Sequence, residues 1–451
     1  MKIIFHIDMN SYFAACEQQA NPHLRGRPMG VCEHLGGIII APSVEAKRRG
    51  IKTGTPVWEA RKLCPEIILL RVDPAKVRTV TERLYKIFSE YSYLVERYSI
   101  DEAFLDLTHL LHSTPRDPFD ITQGHLERKS KGEGEKGLVW DNAILLALEI
   151  KHRIWKEVGE WFTCSIGIAP NKLLAKIASD MDKPDGLKVI RPSDIPNLYS
   201  TLALTDIPGI ANRMAARLAE LKIYTLRDLS QYPESLLHFK FGIVGVWLKS
   251  LGNLQSIGSI VTPEEEVIKS MGHSYTMPRA TSDERVMKKL LFKLSEKVAV
   301  RLRRRNMWGS VVSMYARFPP NSSPLQGGVR GGVGKGKKSF GNGVSHKIGE
   351  LTNDGRIIFK HAWKLFLLSK QTNYGSSPLV RMMGVTVSSL VENLRDEPLF
   401  AQYLKPQWAL SAMDKINEKH GDFTLRRAAI LDARTLAGDT VGFGRMKEMK
   451  I

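Results

Sequence analysis

Cysteine is scarce in this chain: only Cys16, Cys32, Cys64 and Cys164 occur among 451 residues, and no two form a C-x-x-C pair. That spacing excludes the paired-ligand pattern of a structural zinc site and the dense cross-linking of small secreted domains. The four are expected as buried thiols in a reducing cytosol. Long apolar runs are missing too. The opening run Ile3-Ile4-Phe5-His6-Ile7 is too short for a signal-peptide core or a membrane span, so neither export nor membrane insertion is expected. Acid is in short supply: 47 Asp and Glu face 66 Lys and Arg, a formal net charge of +19. Such a surplus favours polyanionic partners, nucleic acid first. No amphipathic Lys/Arg helix stands at either end to suggest a membrane surface instead.

What is present is ordinary globular material, 43% hydrophobic and 25% charged, so most of the chain should fold. A single core stops growing near ~250 to 300 residues, so three or four domains are expected. Residues 2–8 read as a strand ending in Asp8, and 11–19 as a helix opening after Asn10. A strand is expected at 37–41, a short basic helix at 44–49, and a longer helix from Val77, where Val80, Leu84, Ile87, Phe88 and Tyr91 recur at three- and four-residue steps. Residues 95–107, VERYSIDEAFLDL, suggest two short strands around a tight bend at 99–102. A helix over 142–158, a strand over 162–169 and a helix over 172–180 complete an α/β or α+β half; residues 200–257 look helical. After Pro263 a second α/β unit begins, with strands at 267–277, 310–318 and 379–387 and helices at 286–302 and 356–368.

Two stretches, 113–137 and 319–347, carry too few large apolar residues to bury anything and are expected as mobile surface loops without a site. Residues 331–338 nearly spell a phosphate-binding loop. Lys338 stands where Ser or Thr is needed, and no strand or helix frames it, so no nucleotide site is expected there.

The chemistry concentrates in three acids. Asp8 alone reads as a strand-end cap, and Asp101-Glu102 alone as a solvated turn. Together, a strand-end acid and a hairpin pair on a neighbouring strand can supply the converging carboxylate oxygens that two divalent cations ~3.5 to 4 Å apart require. Neighbours on a regular strand point to opposite faces, so Asp101 and Glu102 can share a cation only if the backbone bends between them.

These residues lie in the segments FHIDMNSYFAACEQQANPHLRGRPMGV, YSIDEAFLDLT and CSIGIAPNKLLAKIASDMDKPDG, which resemble the Y-family translesion DNA polymerases, the bacterial polymerase IV and polymerase V group. The likeness runs from residue 1 to about 391. It implies an α+β multidomain right hand. Palm is expected at 1–13 and 74–167, small fingers at 14–73, a helical thumb at 168–257, a linker at 258–266, an α/β little finger at 267–391 and a tail at 392–451. It implies error-prone, template-dependent transfer of nucleotides from dNTPs to a primer end with two Mg2+ ions, held by Asp8, Asp101, Glu102 and the Met9 carbonyl. Phe13 matches the steric gate that excludes a ribose 2′-hydroxyl, Tyr12 a backbone amide on the phosphates, and Lys172 a lysine on the triphosphate. Lys47 with Val44 stands where the polymerase IV branch has Arg and Tyr, which removes a bidentate phosphate fork, and Asn10 replaces an Asp.

In the thumb, Asp206-Ile207-Pro208-Gly209-Ile210-Ala211 resembles a helix-hairpin-helix whose backbone N–H groups meet a DNA phosphate, with Ala211 where a second Gly is usual. Arg301, Arg303, Arg304 and Arg305, with Lys335, Lys337 and Lys338, suggest a little finger gripping duplex backbone. Asp396-Glu397-Pro398-Leu399-Phe400 resembles a degraded sliding-clamp motif. The expected protein is a monomer in the cytoplasm, at the nucleoid. The rival expectation is a catalytically weak or inactive family member that binds DNA and the clamp as a scaffold.

Overall fold

The computed structural model describes residues 1–112, 135–255, 258–262, 267–319, 340–373, 379–392, 401–433 and 436–438. Its strands, in chain order, are β1 (Ile4–Met9), β2 (Met29–Cys32), β3 (Ile39–Pro42), β4 (Ile68–Arg71), β5 (Val95–Arg97), β6 (Glu102–Asp106), β7 (Cys164–Ala169), β8 (Leu187–Val189), β9 (Ser270–Thr281), β10 (Met307–Phe318), β11 (Phe340–Thr352) and β12 (Val380–Glu392). The chain divides into two compact units, Met1–Glu266 and Val267–Thr440.

The first unit is built on a five-stranded sheet in the order β5-β6-β1-β7-β8, in which β1 runs antiparallel to both β6 and β7. All six residues of β1 are buried, because the sheet is covered on both faces. The period of two sorts them. Ile3, Phe5, Ile7 and Met9 join one core, with residues of the Tyr12–Ala20, Pro74–Tyr91 and Glu135–Arg153 helices, while Ile4 joins the other, beneath the Lys172–Met181 helix. That helix lies so close to β7 that a Cβ at Gly167 would stand 2.0 Å from the Ala175 carbonyl oxygen, so the position requires glycine.

The sheet runs further along the chain than expected. The Lys172–Met181 helix buries Leu173, Leu174, Ile177 and Ala178 beside it, and β8 pairs in parallel with β7. The sheet layer therefore reaches residue 189, and the helical part begins after it rather than at 168. A smaller sheet, β3-β2-β4, encloses its own core of Cys32, Ile39, Ala46, Ile51, Val57, Ala60, Cys64 and Ile67 within the span expected for the fingers. All four cysteines are buried and unpaired with one another. Five helices between Ile195 and Gly252 pack around Leu204, Ile207, Ile210, Leu218, Leu226 and Leu229.

The second unit is a four-stranded antiparallel sheet, β11-β10-β12-β9, whose core residues Val312, Met314, Met383, Val385 and Val387 join those of the Glu284–Arg304 and Gly355–Asn373 helices. The stretch 319–347 is not all loop: β11 starts at Phe340 and pairs with β10 from Phe318 onward. Its glycines are what misled. A Cβ at Gly341 would meet the Tyr315 hydroxyl at 2.1 Å, so an edge strand beside that ring needs small residues rather than large apolar ones. Likewise Glu135, at the end of the other supposed loop, opens a helix.

The tail is not separate from this unit either. Residues of the Ala401–His420 helix and of the stretch 421–433 after it dock on the Glu284–Arg304 helix through buried and half-buried polar contacts, including Lys293 Nζ to the Ala433 carbonyl at 2.8 Å and Arg427 Nε to Glu296 Oε1 at 2.7 Å. A Lys and a Glu on an amphipathic helix read as solvated until a partner covers them. Residues 113–134 and 320–339, with Lys335, Lys337 and Lys338, lie outside the described residues, as do Leu399 and Phe400. Among the described residues no helix is long and apolar enough to cross a membrane.

Candidate active site

The three acids arrive on adjacent strands. Asp8 pairs with Glu102 in the β1–β6 register, and the Met9 amide donates to the Asp101 carbonyl at 3.0 Å. Directly opposite residues on antiparallel strands direct their side chains to one face. The expected bend is present: Tyr98 and Ser99 both donate their amides to the Glu102 carbonyl, at 3.1 and 3.0 Å, so the chain turns tightly and Asp101 lies in the bend before β6 begins. The Pro74–Tyr91 helix fixes that turn from below. The Tyr85 hydroxyl, with one hydrogen to share, lies 2.9 Å from both the Ser99 and Glu102 carbonyls, and the Thr81 hydroxyl lies 3.1 Å from the Ile100 carbonyl.

One open pocket collects most of the expected site. Asp8, Met9, Tyr12, Phe13, Lys47, Asp101 and Glu102 line it, with Ile40, Thr53 and Lys176. Phe13 is only 3% exposed and meets Tyr12 edge-on, so its ring is both pocket wall and core. The Tyr12 phenol is committed to the Val77 carbonyl at 3.0 Å and Thr81 Oγ1 at 2.7 Å, leaving its backbone as the part that could meet a ligand. Just before it, Ser11 sits in the left-handed region at φ 50°, and its buried hydroxyl has no hydrogen-bond partner.

Lysines hold the carboxylates. Lys183 pairs with Asp8 and, at 2.6 Å, with Asp180; Lys176 pairs with Glu102 at 2.8 Å. Burial raises Asp8, with Lys183 opposing. Burial also pushes Asp101 up to about 6, with Asp8 and Glu102 adding to the rise against the hydrogen bond from Ser99. Burial would raise Glu102 as well, but His6 and Lys176 pull it down to about 2. Lys47 is lowered by burial and then by Lys183. Among the described residues no three His, Cys, Asp or Glu side chains are drawn close enough to form a ready metal cage. The donor set nonetheless fits a hard divalent cation. Its side-chain donors are all carboxylates, and Asp8 is raised partly by the charge of Glu102 and Asp101 partly by those of Asp8 and Glu102, which a cation would relieve.

Some expected residues stand elsewhere. Lys172 does not line this pocket. Its ammonium pairs with the buried Glu96 at 2.5 Å, touches the Ser259 carbonyl at 3.3 Å and lies over the Phe104 ring. The lysines at the acids are Lys176, one helical turn on, and Lys183; the sequence signal that could have found them is the helical period itself. Arg303 is likewise corrected: its guanidinium is forked onto Asp414 at 2.6 and 2.8 Å and bonded to the Asn353 carbonyl at 2.8 Å, so it is a structural clamp. Arg301 reaches the Gly272 carbonyl at 2.7 Å and is largely buried.

Pro208, Gly209 and Ile210 do form a turn before the Asn212–Ala219 helix. Gly209 has φ 101° and a Cβ there would strike Trp247 at 2.2 Å, so glycine is required twice over. Ile210 is buried in the helical core, which leaves the exposed backbone as the outward part of the turn.

The chain matches the impB/mucB/samB family over residues 7–180 and that family's C-terminal domain over residues 268–398. It is 30% identical over 438 residues to DNA polymerase IV 1 of Bacillus subtilis (strain 168), covering 95% of this chain and 93% of that one. It is 33% identical over 441 residues to DNA polymerase IV 1 of Halalkalibacterium halodurans, covering 96% and 94%. Among solved structures, a Y-family DNA polymerase chimera superposes with a TM-score of 0.67 at 25% identity, covering 87% of this chain and all of that one. Two family domains in order, relatives aligned almost end to end and a shared fold lead to one conclusion: the chain belongs to the impB/mucB/samB family, the Y-family translesion DNA polymerases.

Proposed function

We propose that this polymerase extends a primer by two-metal-ion nucleotidyl transfer in the pocket between Asp8, Asp101 and Glu102. The observation that carries the reading is the pairing of Asp8 with Glu102 across β1 and β6, with Asp101 in the bend beside them. The three carboxylates and the Met9 carbonyl would hold two Mg2+ ions. Bound there, such ions lower the pKa of the primer 3′-hydroxyl and neutralise the charge of the leaving pyrophosphate.

The chain's own groups do the rest. The triphosphate enters toward Lys47, Lys176 and Lys183 and toward the backbone amide of Tyr12, at the N-terminus of the Tyr12–Ala20 helix. As its oxygens take over the ammonium groups, Asp8 and Glu102 are released from their lysines and become available to cations. Phe13 stands where the sugar of the incoming nucleotide would lie, and its ring offers a 2′-hydroxyl neither space nor a partner. The 3′-hydroxyl would lose its proton to solvent, its oxygen bonds to the α-phosphorus, and the bond from that phosphorus to the pyrophosphate oxygen breaks.

DNA would be held by backbone rather than base contacts. The exposed turn at Gly209, whose N–H is the outward amide of Pro208-Gly209-Ile210, suits a phosphate. In the second unit the candidate surface is no longer Arg303 but the concave sheet face lined by Gly272, Ser274, Ser313, Gly343, Ser345, Gly384 and Thr386, small or hydroxyl-bearing residues a duplex backbone can approach closely. A monomer at the nucleoid, docking on a sliding clamp through Leu399 and Phe400, completes the reading.

Primer extension with Mg2+ and dNTPs tests it, comparing wild type with Asp101→Ala. Extension by wild type alone is expected. Equal incorporation by both removes the metal role, and none by either favours a DNA-binding scaffold.

A further inference from the structure

A buried histidine stands behind Glu102, and the reaction described above does not use it. His6 lies in the middle of β1 with no exposed surface, its ring 4.5 Å from that of Phe104. Its Nδ1 is 2.7 Å from Ser179 Oγ. Its Nε2 has no hydrogen-bond partner and lies 3.7 Å from Glu102 Oε2. A buried nitrogen left without a partner is costly, so its position calls for an explanation.

Ser179 decides which nitrogen carries the ring proton. Its hydroxyl is also 2.8 Å from the Lys176 carbonyl, so one hydrogen has two takers. Given to the carbonyl, it leaves Nδ1 to carry the ring proton, and Nε2 turns a lone pair on a carboxylate. Given to Nδ1, it leaves the proton on Nε2, facing Glu102 as a donor. The second arrangement is favoured electrostatically, and a carbonyl inside a helix already has a backbone donor.

We infer that His6, oriented by Ser179, is a positioning residue that anchors Glu102 Oε2 while Oε1 turns toward the cation. Lys176 addresses the same oxygen, Oε2, and neither group contacts Oε1. When a triphosphate draws Lys176 away, His6 is the remaining contact, and closing the 3.7 Å gap to an ordinary hydrogen bond keeps the carboxylate aimed. The inference rests on the proposed reading that Glu102 is a cation ligand.

Mn2+ binding tests it without turnover, from the electron paramagnetic resonance signal of free Mn2+, on the full chain with dideoxy-terminated primer-template and the next dNTP. His6→Leu is expected to raise the Mn2+ dissociation constant about tenfold, and His6→Gln, which restores an N–H donor, to recover most of that loss. Unchanged Mn2+ affinity in His6→Leu overturns the inference, as does failure of His6→Gln to recover any of it. If His6→Leu does not fold, Ser179→Ala carries the test: weaker Mn2+ binding supports the relay and unchanged binding overturns it. Asp101→Ala separates the two claims, since wild-type Mn2+ affinity in that variant would overturn the cation site itself.

Discussion

Asp8 and Glu102 face each other across adjacent antiparallel strands, yet each is bound to a different lysine, Asp8 to Lys183 and Glu102 to Lys176. Carboxylates brought to ~4 Å would repel each other if left bare, by about 1 to 4 kcal/mol depending on local dielectric. The ammonium groups answer that repulsion in the absence of cations. They also define what must move when substrate arrives.

The lysines therefore separate by experiment. Lys183→Ala and Lys176→Ala are each expected to raise KM for dNTPs about 10- to 100-fold, the loss of one charge-assisted phosphate contact of ~1.5 to 3 kcal/mol. Lys172→Ala should leave KM near wild type. It instead takes the ammonium from the buried Glu96 carboxylate, leaving the Val261 N–H at 2.9 Å, and should lower stability by about 3 kcal/mol in urea unfolding. A large KM effect in Lys172→Ala with normal stability would return that residue to the nucleotide.

Sugar discrimination falls to Phe13. Phe13→Ala should lower the preference for dNTPs over rNTPs at least tenfold in single-nucleotide incorporation. The ring is also core, so the same change costs about 3 kcal/mol of stability. Measuring both nucleotides on one preparation cancels that cost, and an unchanged ratio would clear Phe13 of the gate role.

The acids differ in how pH reaches them. Asp101 is raised from 3.8 to about 6, so between those values the folded protein holds a proton that the unfolded chain has lost, and this residue's contribution to stability declines as pH rises. Glu102, lowered from 4.5 to about 2, runs the opposite way: its contribution is full above the unfolded value and is lost as pH falls toward the folded one. In EDTA, the Tm of Asp101→Asn minus that of wild type should therefore grow as pH rises from about 4 to about 6. Saturating Mg2+ should shrink the gap by stabilising wild type. A difference that stays flat in calorimetry would mean that Asp101 titrates as an ordinary surface acid.

Much of this was readable along the chain, for reasons that differ by residue. The run ending in Asp8 marked a buried strand because every one of its residues is apolar or destined for a covered sheet, and the bend at Ser99 to Glu102 followed from the need for neighbouring acids to share a face. β11 was not readable, since Gly341 and Gly343 serve the Tyr315 ring rather than a core of their own. Lys172 was expected at the pocket where Lys176 stands; the two share a helical face and differ by one turn, about 5.4 Å along the axis. Local pattern cannot say which turn lies over Glu102.

The sequence by itself determined the kind of chemistry: three acids, an aromatic beside them and a basic chain are covalent facts that no packing alters. Tertiary structure alone decided which cations meet those acids, which arginines are spent inside the protein, and that a buried histidine backs Glu102. Those outcomes depend on contacts between residues as far apart as Asp8 and Lys183 or Arg303 and Asp414, and such contacts exist only once strands and helices have packed.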